Sequence, residues 1–193
     1  MAPQERVRRL SADERARART QELPDLIAED LVLLLCGINP GLGSAAVGHH
    51  FANPGNRLWP ALHRAGFTPR AFSGPEEHEL LALGIGITSL VGRPTARASE
   101  LSSAELQAGG RDLRARVRRL RPAWLAVLGI GAYRVAFDAP DAIIGPQDTL
   151  IGSTRVWVLP NPSGLNAHYP PRALAAEFTR LREAMALPAQ PAD

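Results

Sequence analysis

The sequence predicts an α/β protein: a single-domain, three-layer sandwich in which a mainly parallel central sheet is flanked by helices. Three observations carry that expectation. The apolar runs Leu31–Cys36 and Trp124–Leu128 have strand length but no in–out alternation, the pattern of strands buried on both faces. They alternate with segments of helical periodicity opened by capping sequences, an order that builds parallel sheets covered on both sides. The 193 residues, 45% of them hydrophobic, suffice for one core, and no repeat or low-complexity linker divides them.

The elements follow in order. Ser11-Ala-Asp-Glu14 reads as a capping box opening a short helix that Pro24 should end, so residues 1–25 are expected to form a basic N-terminal helical arm. The main domain is expected over residues 26–187, with a frayed tail at 188–193. The first strand, Leu31–Cys36, runs into Gly37, and the Gly- and Pro-rich loop from Gly37 to Gly55 is long enough to suggest function. A helix is expected from about Asn56 to Ala65 and a strand near Ile85–Leu90. Ser102-Ser-Ala-Glu105 is a second capping box, after which Leu106, Leu113, Val117 and Leu120 recur along one helical face. Arg111, Arg114, Arg118 and Arg121 fall mostly off that face. Pro122 stops this helix before Trp124–Leu128. A last strand, Arg155–Leu159, runs into Pro160, and a final helix covers roughly Arg172 to Ala186. Trp59, Trp124 and Trp157 are expected in the core.

Composition excludes several classes. No run approaches the roughly 18 apolar residues of a membrane span, and the first twenty residues lack the apolar stretch of a secretory signal. No membrane partner is expected, and the location expected is cytoplasmic, associated with the nucleoid through DNA. A lone Cys36 argues against a disulfide or a multi-cysteine metal centre. His49 and His50 are adjacent with no sequence-near Cys or carboxylate, a poor ligand set, so neither metal nor cofactor is expected. All 22 basic side chains are Arg. The absence of Lys excludes a Schiff base on an internal lysine and a Walker phosphate loop. Arginine suits bidentate phosphate contacts, although an Arg-, Ala- and Pro-rich genome would produce the same bias.

Ligands of such sheets bind beyond the carboxyl ends of the strands. Two polar loops are expected there: Gly37-Ile-Asn-Pro-Gly41 after the first strand and Asn161-Pro-Ser-Gly-Leu165 after the last. If those strands are neighbours, the loops face one another across a cleft, each offering an Asn followed by Pro, with glycines that let backbone amides approach a ligand.

From about Leu31 to Ala186 the chain resembles the mismatch-specific uracil-DNA glycosylase and thymine-DNA glycosylase branch of the uracil-DNA glycosylase superfamily. The words that carry the resemblance are Gly37-Ile-Asn-Pro-Gly-Leu42, Gly48-His-His-Phe51, Pro54-Gly-Asn-Arg-Leu-Trp59, Arg93-Pro-Thr95, Ala108-Gly-Gly-Arg111 and Asn161-Pro-Ser-Gly-Leu165, in the family's order. The resemblance implies a monofunctional glycosylase that flips uracil, notably from G:U mismatches, or a related damaged pyrimidine out of duplex DNA and hydrolyses its N-glycosidic bond, initiating base excision repair. It implies that Asn39 orients the attacking water and Phe51 stacks on the base. Ile38, Gly41, Ser44 and Asn161 would line the base-binding site, and Gly164, Leu165 and Asn166 would form the wedge that fills the vacated stack. The partner expected is double-stranded DNA carrying uracil or a mismatched or damaged pyrimidine, and the protein is expected to be a monomer.

The chain departs from close relatives in three places. Ala167, followed by His168 and Tyr169, stands where the wedge loop carries an Arg. Gly92 replaces an acidic residue before Arg93-Pro-Thr95 that could stabilise positive charge on the sugar. Asn161 stands where many glycosylases outside this branch place a catalytic His. Read without the resemblance, Asn39-Pro-Gly41 is also a turn tripeptide, Phe51 a core residue and Leu165 a hydrophobic cap. Two other functions fit parts of the chain. Gly41-Leu-Gly-Ser-Ala-Ala46 matches the fingerprint of a nucleotide-binding oxidoreductase, but no acidic residue follows between Asp30 and Glu76, and Pro40 and the Gly48-His-His word should disturb the helix. The arginines from Arg111 to Arg121 would suit a non-catalytic DNA-binding module.

Overall fold

The structure, a computed structural model, describes residues 10–190. The elements run in the order α1 (Ala12–Ala18), β1 (Leu33–Gly37), α2 (Leu42–Val47), α3 (Leu58–Arg64), α4 (Glu79–Ala82), β2 (Ile85–Ser89), α5 (Ser103–Leu120), β3 (Trp124–Leu128), α6 (Ile130–Phe137), β4 (Gly145–Ile151), β5 (Thr154–Leu159) and α7 (Pro171–Ala184), with single 3-10 turns at Gly74–Glu76 and Ala98–Glu100. The strands form one sheet in the order β2-β1-β3-β5-β4, parallel except for β4, which pairs antiparallel with β5 at the edge. This is a single α/β domain of three layers.

The uninterrupted apolar strands have the predicted cause. Leu33 and Leu35 of β1 face one core with Leu58 and Leu62 of α3 and Leu174, Phe178 and Leu181 of α7. Leu34 and Cys36 face the other with Leu113 and Val117 of α5 and Tyr133 and Phe137 of α6. Both faces of β1 are therefore dry. Burial pushes the Cys36 thiol far up, which leaves it a small apolar residue rather than a nucleophile.

Several expectations need correction. β1 and β5 are not neighbours, because β3 lies between them. The stretch from Gly37 to Gly55 is not structureless: α2 forms inside it, ending at the left-handed Gly48, and neither Pro40 nor the Gly48-His-His word prevents it. The helix α6 and the edge strand β4 had no clear sequence signal. In the N-terminal arm, residues 1–9 lie outside the described residues. The Ser11–Glu14 capping box forms, but the helix stops at Ala18, well before Pro24, where the Thr20 hydroxyl takes the Arg17 carbonyl. Ala18 is buried against Leu42 and Ala45 of α2, so the arm is docked rather than free. Of the tail, residues 191–193 lie outside the described residues. Gln190 donates its N–H to the Gly66 carbonyl at 2.9 Å, so the described part is pinned rather than frayed.

The two glycines of Ala108-Gly-Gly-Arg111 let α5 approach its neighbours. A Cβ on Gly109 would overlap the Leu90 carbonyl, and one on Gly110 the Ala136 carbonyl on α6. Alanine there gains about 1 kcal/mol of helix propensity but forces backbone apart at a cost of about 1–3 kcal/mol or more. Gly110→Ala is expected to destabilise the protein by about 1–2 kcal/mol net in urea denaturation. A stabilised variant would show that α5 and α6 are not in backbone contact.

Candidate active site

Strand order reverses between β1 and β3: the chain leaves β1 toward β2 on one side and continues from β3 toward β5 on the other. A cavity of about 540 Å³ lies beyond their carboxyl ends, in the size range of small-ligand sites. Its walls are Gly37–Gly41 after β1, the turn at residues 95–99, Phe51 and Asn53, and the loop after β5 from Asn161 to His168, apart from Gly164. The two Asn-bearing loops thus share one cleft even though β3 separates their strands. Gly129 makes this possible. It follows β3 at φ 137°, and a Cβ there would come 3.0 Å from Ile38 Cδ1 and 3.8 Å from Asn161 Cβ.

Asn39 is held by one end of its carboxamide. Nδ2 donates to the Arg93 carbonyl at 2.9 Å, to Thr95 Oγ1 at 2.7 Å and, more weakly, to the Pro40 carbonyl at 3.2 Å. Carbonyl partners accept only, so the nitrogen must face them and Oδ1 is left as the open acceptor of a cavity-lining residue. Arg93-Pro-Thr95 is therefore the buttress of Asn39. Backbone bonds zip the same two segments together: Val91 N–H to Ile38 O, Thr95 N–H to Pro40 O, and Leu42 N–H to Thr95 O. The Arg93 side chain turns away onto Glu105, 2.8 Å from Nε, and this pair with the Ser102 cap holds the Glu105 carboxyl at about 2. Gly92 is exposed, a Cβ there meets nothing within 4 Å, and it does not line the cavity.

Phe51 is half-buried in the left-handed region, at φ 51°, an uncommon conformation for a bulky residue and one tolerated mainly at functional sites. Its ring lies over the end of β1, with Cζ 3.1 Å from where a Gly37 Cβ would stand. Ser44 is buried, and its hydroxyl accepts the Ala52 N–H at 3.1 Å, fastening the Phe51 loop to α2. Gly41 lines the cavity and also makes room for a neighbour. A Cβ on Gly41 or on Gly43 would overlap the carboxamide of Asn53, so these glycines receive Asn53. That also weakens the oxidoreductase reading, since Asn53 covers the turn where a pyrophosphate would have to approach.

Asn161 is likewise half engaged. Its Oδ1 accepts the Ser163 N–H at 2.9 Å, leaving Nδ2 as a free donor on a cavity-lining residue. Gly164 is a glycine because a Cβ would overlap the Gly55 carbonyl. Leu165 is 85% exposed at the cavity rim. Asn166 closes the turn, donating Nδ2 to the Asn161 carbonyl at 3.0 Å and taking the His168 N–H on Oδ1. His168 lines the cavity.

Sequence reasoning missed Asn53 and Glu77. His49 and His50 do have a carboxylate partner, supplied from a distant segment. Glu77 is buried, with Oε1 3.1 Å from His49 Nδ1 and Oε2 3.0 Å from His50 Nδ1 and 2.8 Å from the His50 N–H. His50 is 4% exposed and lines the cavity, and its Nε2 has no partner. Among the described residues, no group of three or more His, Cys, Asp or Glu could hold a metal ion. The α5 arginines themselves do not line the cavity, although Arg116 donates to the carbonyl of Ser89, which does, at 3.2 Å. Arg114 covers the Phe137 ring and Arg116 pairs with Asp25 at 3.1 Å, which gives both structural roles.

Comparison with known proteins agrees with this geometry. Residues 24–184 match the family model described as the uracil DNA glycosylase superfamily. The fold is similar to a solution NMR structure from Methanosarcina acetivorans of a protein assigned provisionally as a uracil DNA glycosylase. The two share 16% identity at a TM-score of 0.56, covering 84% of this chain and 98% of that one.

The Glu77 cluster yields a pH signature. Burial alone would raise the Glu77 carboxyl, but hydrogen bonds from His50 and His49 outweigh it and hold Glu77 below its ordinary value of 4.5. A depressed carboxylate contributes stability above its unfolded value and loses it as pH falls through the folded one. Glu77→Gln is expected to cost about 1–3 kcal/mol at pH 7 in urea denaturation, with the gap from wild type closing below about pH 4. A gap independent of pH would show that the carboxylate charge is not what stabilises this wall.

Proposed function

The chain belongs to the uracil DNA glycosylase superfamily, and from that premise we propose that it is a monofunctional glycosylase acting on uracil in duplex DNA, with preference for uracil opposite guanine. The observation that carries this reading is the pairing of Asn39 and Asn161 in one cleft: each is locked by one end of its carboxamide, which leaves an acceptor on the first and a donor on the second.

These groups match the demands of the reaction. Hydrolysis forms a bond from a water oxygen to the sugar's anomeric carbon as the C–N bond breaks, and the electron pair departs on the uracil ring. Asn39 Oδ1 accepts a hydrogen bond from the attacking water and so aims its lone pair at that carbon. Asn161 Nδ2 donates to a pyrimidine carbonyl, where negative charge develops. Phe51 stacks on the extruded base, with Ile38, Gly41 and Ser44 shaping the wall around it. A leaving group stabilised in this way needs no general acid. Leu165, flanked by Gly164 and Asn166, enters the stack as the base leaves it. Unstacking costs a few kcal/mol and least at a mismatch, which favours uracil opposite guanine.

The test is excision from a U:G duplex, read as an abasic site. Product is expected in the presence of EDTA and as an intact abasic strand, since no internal lysine can trap the sugar. Failure to cut would leave a non-catalytic binder. Asn39→Ala is expected to lower the single-turnover rate by roughly two to three orders of magnitude with little change in DNA affinity. Equal losses in rate and affinity would reduce Asn39 to a loop-shaping residue. Leu165→Ala should slow excision opposite adenine more than opposite guanine, because the paired base resists extrusion more. Equal slowing on both would remove the wedge assignment.

A further inference from the structure

Arg57 stands just before α3, and its side chain reaches away from that helix to the loop after β5. Nη1 donates to the Tyr169 carbonyl at 2.7 Å, and Nη2 donates to the Asn166 carbonyl at 2.9 Å and to the Ser163 carbonyl. The Arg57 N–H donates to the Pro162 carbonyl at 2.9 Å. The loop's other hydrogen bonds run within itself, through Asn161, Ser163 and Asn166. Among the described residues, every hydrogen bond that ties residues 162–169 to another segment therefore comes from Arg57. Arg57 does not line the cavity, and no carboxylate among the described residues pairs with it.

We propose that Arg57 is the positioning residue of the wedge: it holds the Leu165 loop rigid, so that pressing the protein against duplex DNA extrudes the base instead of deflecting the loop. This rests on the reading of Leu165 as the wedge. The residue type follows from the geometry. Carbonyls arriving from three points of a loop can all be met by a planar fork with five N–H donors, whereas an ammonium carries its three donors on one nitrogen and cannot span them. Gly55 lies against Gly164 by close backbone contact, which adds steric backing beside this fork. A rigid tip matters most where extrusion is hardest, so the effect of Arg57 must scale with the pairing strength of the target base.

The test uses the full chain with Arg57→Lys, Leu165→Ala and the double variant, in single turnover at saturating protein on U:A and U:G duplexes. Arg57→Lys keeps the charge and is expected to slow excision about tenfold on U:A and less on U:G, and to add little to Leu165→Ala. Equal slowing on both duplexes, or losses that multiply in the double variant, would overturn the proposal and leave Arg57 a general support of the fold. Hydrogen exchange supplies a readout independent of catalysis. Residues 163–169 are expected to lose protection in Arg57→Lys while the sheet keeps its own, and unchanged protection in the loop would also overturn it. If wild type cuts neither duplex, the glycosylase reading fails and this proposal with it. If Leu165→Ala slows both duplexes equally, only the wedge reading and this proposal fall.

Discussion

Burial of the sheet on both faces is the constraint from which the rest of this structure follows. β1 has no wet face: Leu33 and Leu35 point into one core and Leu34 and Cys36 into the other. Polar side chains are therefore expelled to the strand ends, where backbone amides and carbonyls also run out of ladder partners. At the carboxyl ends of β1 and β3 the connections diverge, and the space between them becomes the cavity. The site is thus where this topology leaves room for polar chemistry.

What makes that space specific is the partial use of each polar group. Asn39 is fastened through its nitrogen and Asn161 through its oxygen, so two identical carboxamides present opposite hydrogen-bonding character to the cleft. Neither can rotate to offer its other end without abandoning its carbonyl or amide partners, which is costly. Pre-orientation of this kind is what electrostatic stabilisation of a developing charge requires, because the dipoles need not reorganise as the bond breaks.

Glycines set the distances. Gly129 lets Ile38 and Asn161 approach across the end of β3, Gly37 receives the Phe51 ring, and Gly164 lies against the Gly55 backbone. The buried Glu77 secures the opposite wall through two histidines, with the buried His50 Nε2 left without a hydrogen-bond partner. The cleft is therefore held by contacts between segments far apart in the chain, and its shape depends on small residues as much as on functional ones.

The sequence by itself determined the buried strands, the capped helices and the two Asn-bearing loops of the cleft. Leu31–Cys36 and Trp124–Leu128 were legible because double burial demands an unbroken apolar run, and Ser102 with Glu105 because a capping box is local. The Asn39 and Asn161 loops were legible through the resemblance of their words and their place after strands. The edge strand β4 was not, since Gly145-Pro-Gln-Asp148 is largely exposed and carries no apolar alternation, and α6 follows β3 with only Gly129 between them. Only the tertiary structure decided that β3 separates β1 from β5, which end of each Asn is free, that Glu77 meets His49 and His50, and that Arg57 ties down the loop after β5. The partners of Glu77 lie 27 and 28 positions away and those of the Arg57 guanidinium 106 to 112. Local pattern encodes which element a residue joins, because propensity and burial act within a few residues. Hydrogen-bond valence is shared among groups that only the sheet order brings together.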